Sequence, residues 1–145
     1  MQELPHHYTV TAQSDGQTSA VTIASTGLHN LSTDAPAEFG GPGDHWSPET
    51  LIMAAVADCF VLGFRAISRA SHVDWLNISC EATGTLDRVD RKTQFTAIEL
   101  KVSVTAPDSV DSEKLMRLLQ KSEESCLITN SMTAKVSMVT DLHIS

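Results

Sequence analysis

Apolar and polar residues alternate over His7–Gln13, with Tyr8, Val10 and Ala12 on one side, which is the period of a β-strand. Asp15-Gly16 marks a turn, and Ser19–Ala24 returns with Val21 and Ile23 on one side. A short strand is expected near Leu28–Leu31, followed by an irregular loop over Asp34–Trp46 that holds Pro36, Gly40, Gly41, Pro42 and Gly43. The pattern then changes sharply. Ser47 is a good N-cap, Pro48 suits the first helical position, and Glu49 suits the positive end of a helix dipole. Between Leu51 and Phe64 apolar residues cover nearly the whole circumference, so a helix from about Pro48 to about Ser71 is expected, buried on most sides. Alternation resumes over Trp75–Leu86, with Leu76, Ile78, Cys80 and Ala82 facing inward. The charged Asp87–Lys92 reads as a hairpin connection, and Phe95–Ala106 as a strand with Ile98, Leu100, Val102 and Val104 inward. Asp111 can cap a second helix with the stripe Leu115, Leu118, Leu119 and Ser122. Thr133–Ile144 alternates once more, with Ala134, Val136, Met138 and Leu142 inward.

The order is βββ-α-ββ-α-β, an α+β class with mostly antiparallel sheet, because consecutive strands are joined by short turns. The 145 residues amount to one domain, expected to span 1–145. A helix so apolar is more than the strands of so small a chain can cover. The pattern therefore predicts a homodimer in which two long central helices bury one another.

Charge narrows the function. Ten Lys and Arg against 18 Asp and Glu leave a formal net charge of −8, which opposes binding to nucleic acid or to an anionic membrane surface. The most apolar stretch, Leu51–Ile67, carries Asp58 and Arg65 and reads as too short and too charged to span a bilayer. Met1–Val10 has neither the basic region nor the apolar run of a secretory signal. Cys59, Cys80 and Cys126 contain no CxxC pair, so neither a zinc ribbon nor a thioredoxin motif is present, and a reducing, cytoplasmic setting is expected. No pair of histidines has metal-ligand spacing, and there is no phosphate-binding loop, dinucleotide fingerprint or nucleophile-elbow serine. No cofactor and no metal are expected.

The residues with chemistry to offer are few, and each has an inert reading beside the active one. Cys59 sits mid-helix among large apolar neighbours, either as a small core residue or as a nucleophile. Cys126 lies eleven residues after Leu115 and continues that helix's apolar stripe if helical phase holds, which would turn it into the same core. Two cysteines from different elements could then meet, one attacking and one resolving; core packing explains both equally well. Cys80 shares a strand's inward face with Leu76, Ile78 and Ala82 and reads as core. Glu49 is accounted for by the helix dipole alone. It is ten residues from Cys59, about 15 Å along one helix, so the two can share a site only if Glu49 comes from the partner's antiparallel helix. His45 lies in the glycine loop and reads as a surface residue that could line a cleft.

Phe39-Gly40-Gly41-Pro42-Gly43, then Ser47-Pro48-Glu49-Thr50-Leu51, then Ala54-Ala55-Val56-Ala57-Asp58-Cys59-Phe60 resembles the OsmC/Ohr family, the osmotically inducible protein C and organic hydroperoxide resistance proteins. Glu124-Ser125-Cys126-Leu127-Ile128-Thr129-Asn130-Ser131 resembles that family's second cysteine region. The resemblance implies an intertwined homodimer with two sites at its interface. It implies that Cys59 is the peroxidatic cysteine, Cys126 the resolving one and Glu49 the catalytic glutamate. The implied reaction is reduction of an organic hydroperoxide through a Cys59 sulfenic acid and a Cys59–Cys126 disulfide, reset by an external thiol reductant.

One feature departs from the family pattern. A nucleophilic cysteine must be a thiolate at neutral pH, and an ordinary thiol is mostly protonated there. The family stabilises the thiolate with an arginine, held by the glutamate, from the N-terminal strands or the loop before the helix. Here no arginine precedes Arg65, and residues 1–64 contain no lysine. Arg65 is about 240° around the helix from Cys59, and Arg69 is ten residues, about 15 Å, from Cys59 along the axis. Arg88 and Arg91 in the hairpin, or His29 or His45, are the substitutes within the chain. The second reading is accordingly an OsmC-like dimer without efficient peroxidase activity, binding an apolar small molecule between its helices or serving another stress-related role.

Overall fold

A computed structural model describes residues 1–145. The chain divides into two compact units, Met1–Leu51 and Ile52–Ser145. In the first, β1 (Thr11–Gln13), β2 (Val21–Ala24) and β3 (Leu31–Thr33) form an antiparallel sheet in that order. The Asp15 carboxylate holds the β1–β2 turn by accepting the N–H groups of Gln17 and Thr18 at 2.8 and 2.9 Å. β1 is shorter than the alternation predicts: Tyr8 and Val10 lie before it and are exposed. The loop after β3 is more regular than expected. Ala37–Phe39 form one turn of 3-10 helix that ends on Gly40 in the left-handed region, φ 83°. A Cβ on Gly41 would overlap the Ala35 carbonyl, so only glycine lets this turn close. The Asp34 N–H donates to the Trp46 carbonyl at 3.0 Å, which joins the loop's two ends.

Helix α1 (Pro48–Ala70) starts as its sequence dictates. The Thr50 N–H donates to Ser47 Oγ at 3.1 Å while the Ser47 N–H donates to Thr50 Oγ1 at 2.8 Å, a reciprocal cap in which threonine takes the usual glutamate position. One chain alone does not bury α1 on most sides. Within one chain α1 buries a single row, Val56, Phe60, Phe64 and Ser68, four residues apart on one face. At 23 residues, with a mean hydropathy of 1.8 over its most apolar window, it is also not too short to cross a bilayer. Its fully buried row marks it as a core helix instead.

In the second unit β4 (Asn77–Val89) and β5 (Lys92–Ala106) make an antiparallel hairpin, and β6 (Lys135–Ile144) lies parallel to β5 on its other side. That pair is the one parallel pairing in the mostly antiparallel sheets the sequence predicts. Its cause is the helical crossover, α2 (Ser112–Glu124) and α3 (Leu127–Asn130), which carries the chain back to the start of β5's ladder. The hairpin is longer than expected: only Asp90 and Arg91 turn, both at positive φ (49° and 68°), as a two-residue loop of this type demands. Ile98, Leu100, Val102, Val104 and Ala106 point from β5 into the core and meet the α1 row and Leu115, Leu118 and Leu119 of α2. Asp111 caps α2 by accepting the Glu113 N–H at 3.0 Å, as its sequence predicts. Leu76 is corrected: it precedes β4 and is exposed, while Ile78, Cys80 and Ala82 pack against the core. At Gly84 the Met53 side chain of α1 lies close against β4, since a Cβ there would meet Met53 Sδ at 2.7 Å and Phe95 at 2.8 Å.

Candidate active site

The sequence places Cys59 on α1, one residue before the buried Phe60 and therefore about 100° off the core-facing row. That step leaves it half-buried at the edge of the core. Cys126 arrives by a different route from the one predicted. Helical phase does not hold, because α2 ends at Glu124 and Cys126 adopts an extended conformation (φ −66°, ψ 108°). It is the residue that opens α3, and it is buried all the same, 3% exposed. The two cysteines face one cleft of about 460 Å³, walled by Ala55, Leu62, Gly63, Leu127 and Ile128 and edged by Asp58, Ser122 and Ser125. Both are free thiols. The small Ala55 and Gly63 on α1 leave room for the α2–α3 corner.

Thr129 is the neighbour that sequence reasoning missed. It is buried, and its Oγ1 donates to the Cys126 carbonyl at 3.2 Å, which fixes the backbone under the sulfur. Its legible sign was the three-residue spacing from Cys126, that of a helix-start pair. The N–H groups at the start of α3 favour negative charge on the nearby sulfurs. They lie toward both sulfurs, although Cys126 makes no short cap bond. Burial pushes the Cys59 thiol up, and Cys126 adds to this, outweighing the Ile128 and Leu127 N–H groups. At Cys126 burial also acts upward, but the Thr129 N–H and hydroxyl, the Cys59 thiol and the Ile128 N–H overcome it, and its pKa falls. The reduced pair is thus polarised. Of the two, Cys126 is the thiol that ionises more readily. Cys80 lines no part of the cleft; burial, with Cys126 adding to it, pushes its thiol up to about 11.

Glu49 does not line the cleft around the sulfurs. It sits in the first turn of α1, in the first compact unit, and its Oε2 is buried with no hydrogen-bond partner. A carboxylate oxygen left so is costly unless a donor reaches it. His45 is engaged with the adjacent Asp44, Nδ1 to Oδ1 at 2.6 Å. Arg65 and Arg69 line a different cleft.

Fold and cleft define a small α+β protein that sets two free cysteines, from separate helical segments, face to face in an apolar recess. Residues 41–141 match the model of the family described as OsmC-like protein, and the chain belongs to the OsmC/Ohr family. It is 22% identical over 136 residues to the uncharacterized protein YmaD of Bacillus subtilis, covering 92% of this chain and 91% of that one. It is 28% identical over 92 residues to the peroxiredoxin OsmC of Escherichia coli, 63% of this chain and 64% of that one. Among solved structures, an OsmC-like protein of unknown function from Vibrio cholerae superposes with a TM-score of 0.87 at 18% identity, over 94% of this chain and 100% of that one. An organic hydroperoxide resistance protein from Elizabethkingia anophelis, with thiocyanate bound, superposes with a TM-score of 0.77 at 16% identity, over 99% and 100%. At these identities both structures establish the fold alone.

Proposed function

We propose that this protein is a thiol-dependent peroxidase that reduces organic hydroperoxides, with Cys59 attacking and Cys126 resolving. The observation that carries the reading is the pair of free thiols, from α1 and from the start of α3, sharing one apolar cleft. Names among its relatives, a peroxiredoxin and a hydroperoxide resistance protein, support a peroxide-related role in general terms.

The different exposure of the two thiols supports a division of labour. Cys59 is the more open of the two and meets the substrate first. Once Cys59 has given up its proton, its thiolate attacks the distal oxygen of ROOH, the O–O bond breaks, and the alkoxide takes up the released proton and leaves as the alcohol ROH. Cys59 becomes a sulfenic acid. Cys126, already favoured as thiolate, attacks that sulfur, forms the disulfide and displaces hydroxide, which solvent protonates to water. Two electrons pass from the thiols to the peroxide, and an external dithiol returns them. The apolar walls Leu62, Leu127 and Ile128 favour an alkyl or aryl hydroperoxide over hydrogen peroxide.

The reading extends to the assembly. Residues 1–145 act as one OsmC-like domain of a cytoplasmic homodimer, in which the uncovered side of α1, including the half-exposed Leu62, packs on its counterpart. Glu49, with its unpartnered Oε2, then completes the site from the partner's helix.

One observation favours the second reading, an OsmC-like dimer that binds an apolar molecule with little turnover: the Cys59 thiol is pushed up and no cation precedes Arg65. Consumption of cumene hydroperoxide with a dithiol reductant separates the two. Peroxidase chemistry predicts turnover that disappears in Cys59→Ser. Cysteines that stay reduced under hydroperoxide, with apolar ligand retained in native mass spectrometry, would establish the second reading instead.

A further inference from the structure

Glu49 Oε2 is buried by this chain's own atoms and has no hydrogen-bond partner. A second copy adds cover but cannot return that oxygen to water, so a donor must reach it. The direction Glu49 faces narrows the choice. Met53, Val56, Phe60 and Phe64 form the stripe that α1 turns to the core. Glu49 continues that stripe one turn before Met53, and around the helix it lies about 20° from Phe60. It therefore faces the β4–β5 sheet and not the uncovered side of α1.

Two contacts fix what lies opposite. The Phe64 and Trp75 rings meet at 5.7 Å, and Met53 lies against Gly84. As α1 is followed back toward its start, β4 is thus followed forward toward the hairpin tip. The extra residue of the bulge there is Thr96 on β5, since Thr85 pairs with Ala97 and Leu86 with Phe95. β4 itself stays regular, and alternation puts Gly84, Leu86 and Arg88 on the face that meets α1. Gly84 to Arg88 spans about 13 Å of strand and Met53 to Glu49 about 6 Å of helix in the same direction, an offset of about 7 Å that an arginine folded back along the strand can close. The other cations of the tip turn elsewhere. Arg91 makes the turn at φ 68°, and Lys92, opposite Val89, falls on the outer face.

We infer that Arg88 donates to Glu49 Oε2 and holds that carboxylate in place, a positioning residue carried on the hairpin. Arg88 is exposed in this structure and the pair is open; closing it takes new rotamers of one long side chain. A guanidinium suits the task, because its planar fork meets a carboxylate in charge-assisted hydrogen bonds. The effect on turnover rests on the peroxidase reading, in which Glu49 completes the site. The pairing itself does not.

Urea unfolding of the full-length protein, Glu49→Gln, Arg88→Gln and the double variant, at one protein concentration, reads the pairing without reference to activity. Arg88→Gln should lower the midpoint in the parent and leave it unmoved in the Glu49→Gln background. Cumene hydroperoxide turnover reads the positioning. Arg88→Gln should lower kcat/KM about tenfold, and the double variant should be no slower than Glu49→Gln. Arg88→Lys, which keeps the charge but not the fork, should recover part of the loss, and Lys92→Gln should match the parent. Midpoint shifts that simply add, an unmoved midpoint in Arg88→Gln, or a Lys92→Gln loss as large as that of Arg88→Gln would each overturn the inference. A parent without turnover sinks the peroxidase reading alone, and the urea cycle still decides the pairing. If the double variant does not fold, Arg88→Lys decides: a midpoint restored toward the parent supports the pair, and one as low as that of Arg88→Gln overturns it.

Discussion

Phe60 and Leu62 are two residues apart on α1, about 200° around the helix from one another, and their surroundings in one chain could hardly differ more. Phe60 is 0% exposed and meets the β5 core, whereas Leu62 is 50% exposed on the cysteine-cleft side. Phe60→Ala should cost about 3–5 kcal/mol, the lost transfer energy plus the cavity left under α1. With a urea slope of about 2 kcal/mol per molar, the midpoint falls by roughly 2 M. Leu62→Ala in an isolated chain removes a side chain only half withdrawn from water and should cost about 1 kcal/mol or less. In the proposed dimer the same side chain is covered, and truncation should cost about 2–5 kcal/mol. A dimer adds a second signature: over a hundredfold range of protein concentration its apparent stability should rise by about 2.7 kcal/mol, from mass action alone. Urea unfolding followed by circular dichroism, repeated across that range, reads both quantities. A small Leu62→Ala effect with no concentration dependence would refute the dimer. A Phe60→Ala cost of about 1 kcal/mol or less would refute the assignment of α1's core-facing row.

Other outcomes follow from the same contacts. Cys80, pushed up to about 11 from 9.0, is held as a neutral thiol in the folded state; the stability this gives is complete below pH 9.0 and is lost as pH climbs toward 11, so Cys80→Ala should flatten the alkaline limb of a stability profile. Iodoacetamide mapping at pH 8 should label Cys80 last of the three cysteines. Gly41→Ala should disturb the turn after β3, since its Cβ overlaps the Ala35 carbonyl, and should lower the melting temperature more than Gly43→Ala, whose Cβ finds ordinary contact and whose cost is limited to its positive φ of 79°. Asp111→Ala removes the acceptor of the Glu113 N–H and should cost about 1 kcal/mol in chemical unfolding, with Asp111→Asn nearly neutral.

The strongly periodic elements were legible because their period is imposed by one core. The stripe Leu115, Leu118, Leu119 and Ser122 is the buried face of α2, and the alternation Ile98 to Val104 is the buried face of β5. The helix start at Ser47-Pro48 was legible because capping is a local matter of a few residues. What escaped the sequence depends on distant partners or on rare backbone geometry. Asp90-Arg91 turns the hairpin without a glycine to announce it, so the strands looked shorter than they are. The parallel β6 is set by where the crossover lands, which no residue of β6 encodes. Cys126 was expected in the core through helical phase, and it is there although the helix ends two residues earlier, because a tight corner at Ser125 turns it inward. The absence of an N-terminal cation was plain in the sequence; the α3 N–H groups beside the two sulfurs were not, because backbone donors leave no mark in side-chain identity.

The most direct test is to treat the fully reduced protein with one equivalent of cumene hydroperoxide and map its thiols by peptide mass spectrometry. The account predicts a single intramolecular bond joining Cys59 to Cys126, a free Cys80, and a sulfenic acid trapped at Cys59 when Cys126 is replaced by serine. A bond that includes Cys80, or three thiols that remain reduced while the hydroperoxide persists, would contradict it.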